Sequence, residues 1–110
     1  MSLRLDWERV ARTESLFREV NERIAETAER FEAGEAQFVC ECHDPGCTAR
    51  ITAELGEYEH VRADGTRFMV ASGHGDERIE QVVRERDGFE VVEKDHPEVA
   101  PIVRDLDPRQ

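Results

Sequence analysis

Apolar side chains recur every seven residues along the N-terminal part of the chain. The repeat consists of Leu3, Val10, Phe17, Ile24 and Phe31, and Leu16, Val20 and Ala28 fill the same stripe. The intervening residues are mostly Glu, Arg, Thr and Asn. An apolar stripe on a polar background predicts one long amphipathic helix over residues 6–32. Asp6 is the predicted N-cap, and Gly34 is the predicted stop.

This stripe has two candidate packing partners. A seven-residue repeat is the pattern of a coiled-coil seam, so the helix could pair with a second copy of itself. Alternatively, the stripe packs on the sheet of its own chain. We favour the second interpretation because the repeat lasts little more than four heptads.

After Gly34 the pattern changes to short runs separated by turn residues. These runs predict a strand over residues 36–42, a short strand over 49–51, a helix over 53–63 capped by Thr52, and a strand over 67–71. Leu55, Tyr58 and Val61 form the predicted apolar face of that helix.

The segment 78–86 fits two structures. Ile79, Val82 and Val83 suit a helical face, whereas Asp87–Gly88 before residues 89–93 suits a two-residue hairpin turn. We favour the hairpin. Beyond Pro97, residues 99–106 predict one or two helical turns, and we expect the last residues to fray.

The composition is acidic and only moderately apolar. The net charge of the 110 residues is -11, with 38% hydrophobic and 37% charged residues. The 14 Arg and the single Lys94 are interleaved with Glu rather than clustered, so the chain lacks the basic patch that binds phosphate backbones or anionic lipids. We therefore expect no nucleic-acid or membrane partner, whereas a basic protein partner is compatible. Because the apolar fraction is small, we also expect a stabilising element in addition to the hydrophobic core.

The three cysteines point to a metal. The N-terminus lacks the apolar run of a signal peptide, which predicts a cytoplasmic protein with reduced thiols. Cys40 and Cys42 lie two apart on a predicted strand and so project to one face, while Glu41 between them points away. A turn at residues 44–46 can bring Cys47 back to them. Three thiolates leave one position of a tetrahedral zinc site to be filled.

A histidine is the predicted fourth ligand. His43 directly follows a cysteine on the strand and should face the opposite way. His74 lies between two glycines at the end of a predicted strand, where its ring can approach without crowding. We select His74, with His60 as the alternative.

Thiolates combined with imidazole favour one structural Zn²⁺. Three unliganded cysteines in a core are disfavoured by the polar neighbours Glu41, His43 and Asp44. A redox-active thiol site is the other alternative. No residue pattern predicts a catalytic group, although a zinc-dependent enzyme is a third, weaker reading.

Several of these motifs also carry a resemblance. The Cys-x-Cys-x4-Cys run, Glu57–Glu59, the Gly73–His74 pair and residues 87–94 resemble a family of small bacterial proteins of unknown function from high-GC genomes. The resemblance spans roughly residues 12–94. It implies that the cysteines and the Gly-His pair form one unit, and it implies no activity.

The sequence therefore predicts an α+β fold in which a long N-terminal helix packs on a small, mainly antiparallel sheet, with a second short helix and a zinc-stapled turn. We expect one domain over residues 1–110, comprising the helix (1–34), a zinc-stapled core (35–95) and a tail (96–110). The predicted function is a non-enzymatic protein-interaction or regulatory module, with dimerisation through the helix as one option. A thiol/zinc redox switch is the alternative.

Overall fold

The computed structural model describes residues 6–109, which form three helices and five strands. In chain order they are α1 (Trp7–Arg30), β1 (Glu35–Val39), β2 (Arg50–Glu54), α2 (Leu55–Arg62), β3 (Arg67–Ala71), β4 (Glu80–Arg86), β5 (Phe89–Lys94) and α3 (Val99–Asp105). The predicted α+β class with a long N-terminal helix is confirmed. The strands form two antiparallel sheets, β1–β2 and β3–β5–β4, where one was expected.

Helix α1 begins as predicted and ends earlier. The Asp6 side chain accepts a hydrogen bond from the Arg9 backbone N–H at 3.2 Å, as an N-cap does. At the other end Glu32 adopts a left-handed φ of 56°, and the Ala33 N–H donates to the Ala28 carbonyl at 2.9 Å. This is a Schellman-type ending. The helix therefore stops before Gly34.

The inward face of α1 differs from the predicted stripe. The face that packs on the rest of the molecule carries Val10, Ala11, Glu14, Ser15, Arg18, Asn21, Glu22, Ala25 and Ala28. Leu16, Val20 and Phe31 are instead exposed. Leu3, the first residue of the repeat, lies outside the described residues. The expectation that the whole stripe packs on the chain's own sheet is thus wrong for its exposed members.

The second sheet follows the sequence closely. Strand β3 has the predicted bounds, and residues 80–86 and 89–94 form the favoured hairpin, with Gly88 at φ 88° in the turn. The predicted cap of α2 is wrong. Thr52 lies inside β2 opposite Gln37, and the helix starts only at Leu55 after the N-cap Glu54.

One cluster of buried apolar side chains joins both sheets and the helices. Phe38 of β1 stacks on Tyr58 of α2, with ring centroids 4.6 Å apart. Val99 and Val103 of α3 are fully buried in this core, so the predicted tail contributes to it. Among the helices of residues 6–109, none is long and apolar enough to cross a membrane.

Candidate metal centre

The four residues predicted as metal ligands lie together in the structure. Cys40 and Cys42 follow β1, Cys47 precedes β2, and His74 follows β3. One ligand atom from each residue lies within 4.8 Å of those from the other three. The loop of one sheet and the end of a strand in the other thus meet at one point.

The distances suit a tetrahedral ion. His74 Nδ1 lies 3.5 Å from Cys47 Sγ and 3.7 Å from Cys40 Sγ. Zn–S bonds of about 2.3 Å and Zn–N bonds of about 2.0 Å give tetrahedral edges of roughly 3.6 Å between sulfur and nitrogen. Nδ1 is therefore the histidine atom placed to coordinate, and these four residues could hold a metal ion.

The predicted turn returns Cys47 to the site. The Asp44 side chain accepts a hydrogen bond from the Gly46 N–H at 2.9 Å, and its carbonyl accepts one from the Cys47 N–H at 3.0 Å. Such a side-chain-to-backbone bond is the usual way in which Asp stabilises a turn. The turn fixes the chain reversal without using the thiol.

A second turn places His74. The His74 N–H donates to the Ala71 carbonyl at 2.9 Å, and Gly73 between them has a φ of 82°. A positive φ at this turn position favours glycine, because a Cβ makes that conformation strained. The glycine next to the histidine therefore sets the direction of the imidazole.

Burial changes the acidity of two thiols. Cys40 and Cys42 are buried, whereas Cys47 is half-buried and His74 is exposed. Burial raises the pKa of Cys40 to about 12, which is partly offset because the Ala71 N–H donates to its Sγ at 3.1 Å. Burial also raises the pKa of Cys42. A bound cation reverses this preference, since metal coordination deprotonates a thiol.

Glu41, between the first two cysteines, holds the segment in place. As predicted, its side chain points away from the thiols, but it enters the interior and is 0% exposed. Its carboxylate accepts hydrogen bonds from the Met69 N–H at 2.9 Å and from Asn21 Nδ2 at 2.7 Å. Burial raises its pKa, and the Asn21 bond lowers it. Glu41 thus fixes Cys40 and Cys42 against both α1 and β3.

Asn21 is the residue of this site that the sequence reasoning missed. Its amide bonds both backbone groups of Val39, accepting from the N–H at 2.8 Å and donating to the carbonyl at 2.9 Å. Asparagine has a weak helix propensity and is uncommon inside a helix without a role. Its position in the middle of α1 was the signal that could have identified it.

The other histidines lie outside the cluster. His43 is not part of the cluster, as expected, and its Nε2 lies 2.9 Å from Asp76 Oδ2. Hydrogen bonds from Arg78 and His43 lower the pKa of Asp76. His60, the alternative ligand, is exposed on α2, and His96 packs against the Trp7 ring.

An open groove of about 1000 Å³ runs beside the site, and Cys42, His43, His74 and Asp76 line part of it. The cluster could hold a metal ion, because four protein ligands are enough to complete a tetrahedral shell. No family model, curated protein or solved structure matches this chain.

Proposed function

We propose that this chain is a non-enzymatic protein-interaction or regulatory module stabilised by one structural Zn²⁺. The observation that carries the proposal is the convergence of Cys40, Cys42, Cys47 and His74 within 4.8 Å. All four positions of a tetrahedral shell are then filled by protein atoms. A catalytic zinc keeps a position open for water or substrate, so a closed set supports a structural role.

The donor atoms support zinc over other metals. Thiolates and imidazole are soft or borderline ligands, which Zn²⁺ prefers to Ca²⁺ or Mg²⁺. Iron–sulfur clusters are ordinarily held by four cysteines, and this chain has three.

The position of the site explains why the domain would depend on the ion. The ligands join the β1–β2 loop to the end of β3, and β3 belongs to the other sheet. Structural zinc contributes on the order of 10–16 kcal/mol of apparent binding free energy, compared with about 5–15 kcal/mol for the net stability of a typical domain. The metal-free protein is therefore expected to be largely unfolded or molten.

Thermal unfolding with and without a strong chelator tests this proposal. Zinc removal should abolish the cooperative transition or shift it far downward, and re-addition of one equivalent of zinc should restore it. His74→Ala keeps three cysteine ligands and should lower the transition temperature of the zinc-loaded protein, whereas His60→Ala, at the exposed alternative histidine, should behave as the wild type. Identical melting curves for zinc-loaded protein and for protein shown to lack metal would refute the proposal.

A thiol/zinc redox switch is the second candidate, and the accessibility of the site favours it. Cys47 is half-buried and His74 is exposed, so an oxidant can reach the Cys47 sulfur. Hydrogen peroxide would take two electrons from two thiolates to form a disulfide, yielding two waters with two protons and releasing Zn²⁺. Zinc release at low peroxide doses, reversed by a thiol reductant, would support the switch, and retention of zinc would exclude it.

A further inference from the structure

Part of the apolar stripe of α1 lies outside the face that packs on the fold, although Val10 and Ala28 belong to that buried face. Its members Leu16, Val20 and Phe31 are 60%, 40% and 76% exposed. With 100° between successive residues, the centre of the stripe lies roughly a quarter turn from the buried face. The buried face combines small apolar residues with polar ones such as Glu14, Arg18 and Asn21. The exposed members of the stripe are consequently available to another molecule.

The C-terminal half of this stripe borders a shallow apolar groove of about 580 Å³. Val20, Ile24, Ala28 and Phe31 line it, with Ala33 and Ala36 on the side of the fold. Contiguous exposed apolar surface on a small domain commonly marks a site of protein association.

We propose that a second copy of this chain covers the stripe, with the two α1 helices packed antiparallel about Ile24. In this register Ile24 meets its own counterpart and Phe17 lies opposite Phe31 of the other copy. Val20 lies opposite Ala28, which is mostly buried in its own fold but lines the groove. The seven-residue spacing keeps these residues on the contact line of two helices that cross at a small angle.

The charges beside the stripe fit this arrangement. Glu19, Arg23, Glu26 and Arg30 alternate in sign along one flank of α1. In the antiparallel register, Glu19 of one copy and Arg30 of the other are offset by one residue, or about 1.5 Å along the helix axis. Arg23 and Glu26 have the same offset. Within residues 6–109 none of these four side chains forms an ion pair, so all four are free to bind the second copy.

The charge of α1 also permits self-association. The helix carries six Glu and five Arg, whereas the whole chain has a net charge of -11. The excess acidity therefore lies elsewhere, and two copies that meet along α1 avoid most of the repulsion between acidic surfaces.

Sedimentation equilibrium of the full, zinc-loaded chain over a range of concentrations tests the dimer. The wild type should approach twice the chain mass of 12.7 kDa. Val20→Glu and Phe31→Glu should each give monomers that keep the wild-type circular dichroism. Val82→Glu is the matched control, because Val82 is 46% exposed on β4, away from the stripe, and this variant should remain dimeric.

A charge exchange tests the register. Arg23→Glu alone and Glu26→Arg alone should each weaken the dimer by several fold, whereas the double variant should recover it.

A wild type that is monomeric up to its solubility limit, or a dimer unaffected by these changes, would overturn the proposal. This dimer would supply a partner for the interaction module proposed above, but the observations that support it concern α1 alone. Zinc content measured on the same samples separates failure of the dimer from failure of the metal site.

Discussion

At the scale of single residues, the positions of two thiols depend on a side chain that touches neither of them. Asn21 bonds Glu41 and the backbone of Val39, and Glu41 in turn bonds the backbone of Met69. Residues that support metal ligands in this way orient the donor atoms and affect metal affinity. Asn21 and Glu41 are therefore positioning residues of the candidate site.

Asn21→Ala should destabilise the zinc-loaded protein by roughly 2–4 kcal/mol, because it removes the hydrogen bonds to the half-buried backbone groups of Val39 and to Oε2 of the buried Glu41 carboxylate. It should also weaken zinc binding about 10–100-fold. Urea denaturation and competition with a colorimetric zinc chelator measure the two effects. Glu29→Ala, at an exposed position of the same helix outside the apolar groove, is the control and should change stability by less than about 0.5 kcal/mol. An unchanged denaturation midpoint for Asn21→Ala would contradict this role.

The sequence was sufficient to predict the local geometry of the ligands, but not the hydrogen bonds that hold them in place. The alternation of a strand over residues 36–42 and an Asp-Pro-Gly turn predicted that Cys40, Cys42 and Cys47 converge. The convergence is found, but the strand prediction is wrong at its end, because β1 stops at Val39 and both cysteines follow it. The spacing also predicted that Glu41 points away from them. Its burial depends on an amide 20 residues away in the chain, and no periodic pattern encodes such a contact.

At the scale of elements, α1 shows why an apolar stripe can be a poor guide to the buried face. Arg18 is fully buried and donates to the carbonyls of Gly65 at 2.7 Å and Val103 at 2.6 Å. Its guanidinium also lies 4.4 Å from the centroid of the Phe68 ring. These partners are distant in sequence. The orientation of α1 therefore follows from long-range hydrogen bonds, which its own heptad pattern does not contain.

The same helix joins β4 and β5 through a buried ion cluster. Lys94, the only lysine of the chain, bonds Glu14 of α1 at 2.6 Å and also bonds Glu80 of β4. Burial raises the pKa of Glu14 to about 7, with Lys94 lowering it and Glu80 raising it; the charge of His43 lowers it slightly. Glu14 keeps its proton more readily than usual because burial disfavours its charged form, and the nearby Glu80 carboxylate adds to this effect.

This cluster predicts a specific pH dependence. Because the pKa of Glu14 is higher in the folded than in the unfolded state, its contribution to stability is present below about pH 4.5 and is lost as the pH rises through about 7. Glu14→Gln keeps a hydrogen-bonding group but cannot ionise. Its stability relative to the wild type should therefore increase by on the order of 2 kcal/mol across this range.

Denaturation of both zinc-loaded proteins at a series of pH values measures this difference, and the pH dependence of zinc binding cancels in the comparison. A difference in unfolding free energy that stays constant from pH 4.5 to 8 would show that Glu14 titrates normally.

At the scale of the whole molecule, two small sheets and three helices depend on contacts between segments far apart in the chain. Arg62 of α2 bonds Glu22 of α1 at 2.6 Å and also bonds Asp107, while Arg109 bonds Glu22 at 2.7 and 2.9 Å. These ion pairs hold the end of the described chain on the fold. The prediction that the last residues fray is therefore wrong up to Arg109.

The α+β class and the hairpin were predictable because they follow from local alternation and turn chemistry. The division into two sheets was not, because strand pairing is decided by contacts that no single segment specifies. The proposed zinc ion lies where these two sheets approach each other. The metal would thus stabilise the placement of one sheet against the other, which the sequence did not predict.

X-ray absorption at the zinc edge, on the full chain loaded with one equivalent of zinc, identifies the atoms that bind the metal. We expect three sulfur neighbours at about 2.3 Å and one imidazole nitrogen at about 2.0 Å. His74→Ala should remove the imidazole signal and leave the sulfur shell. A first shell made only of oxygen or nitrogen, or a spectrum unchanged by Cys42→Ser, would show that these thiols do not hold the metal.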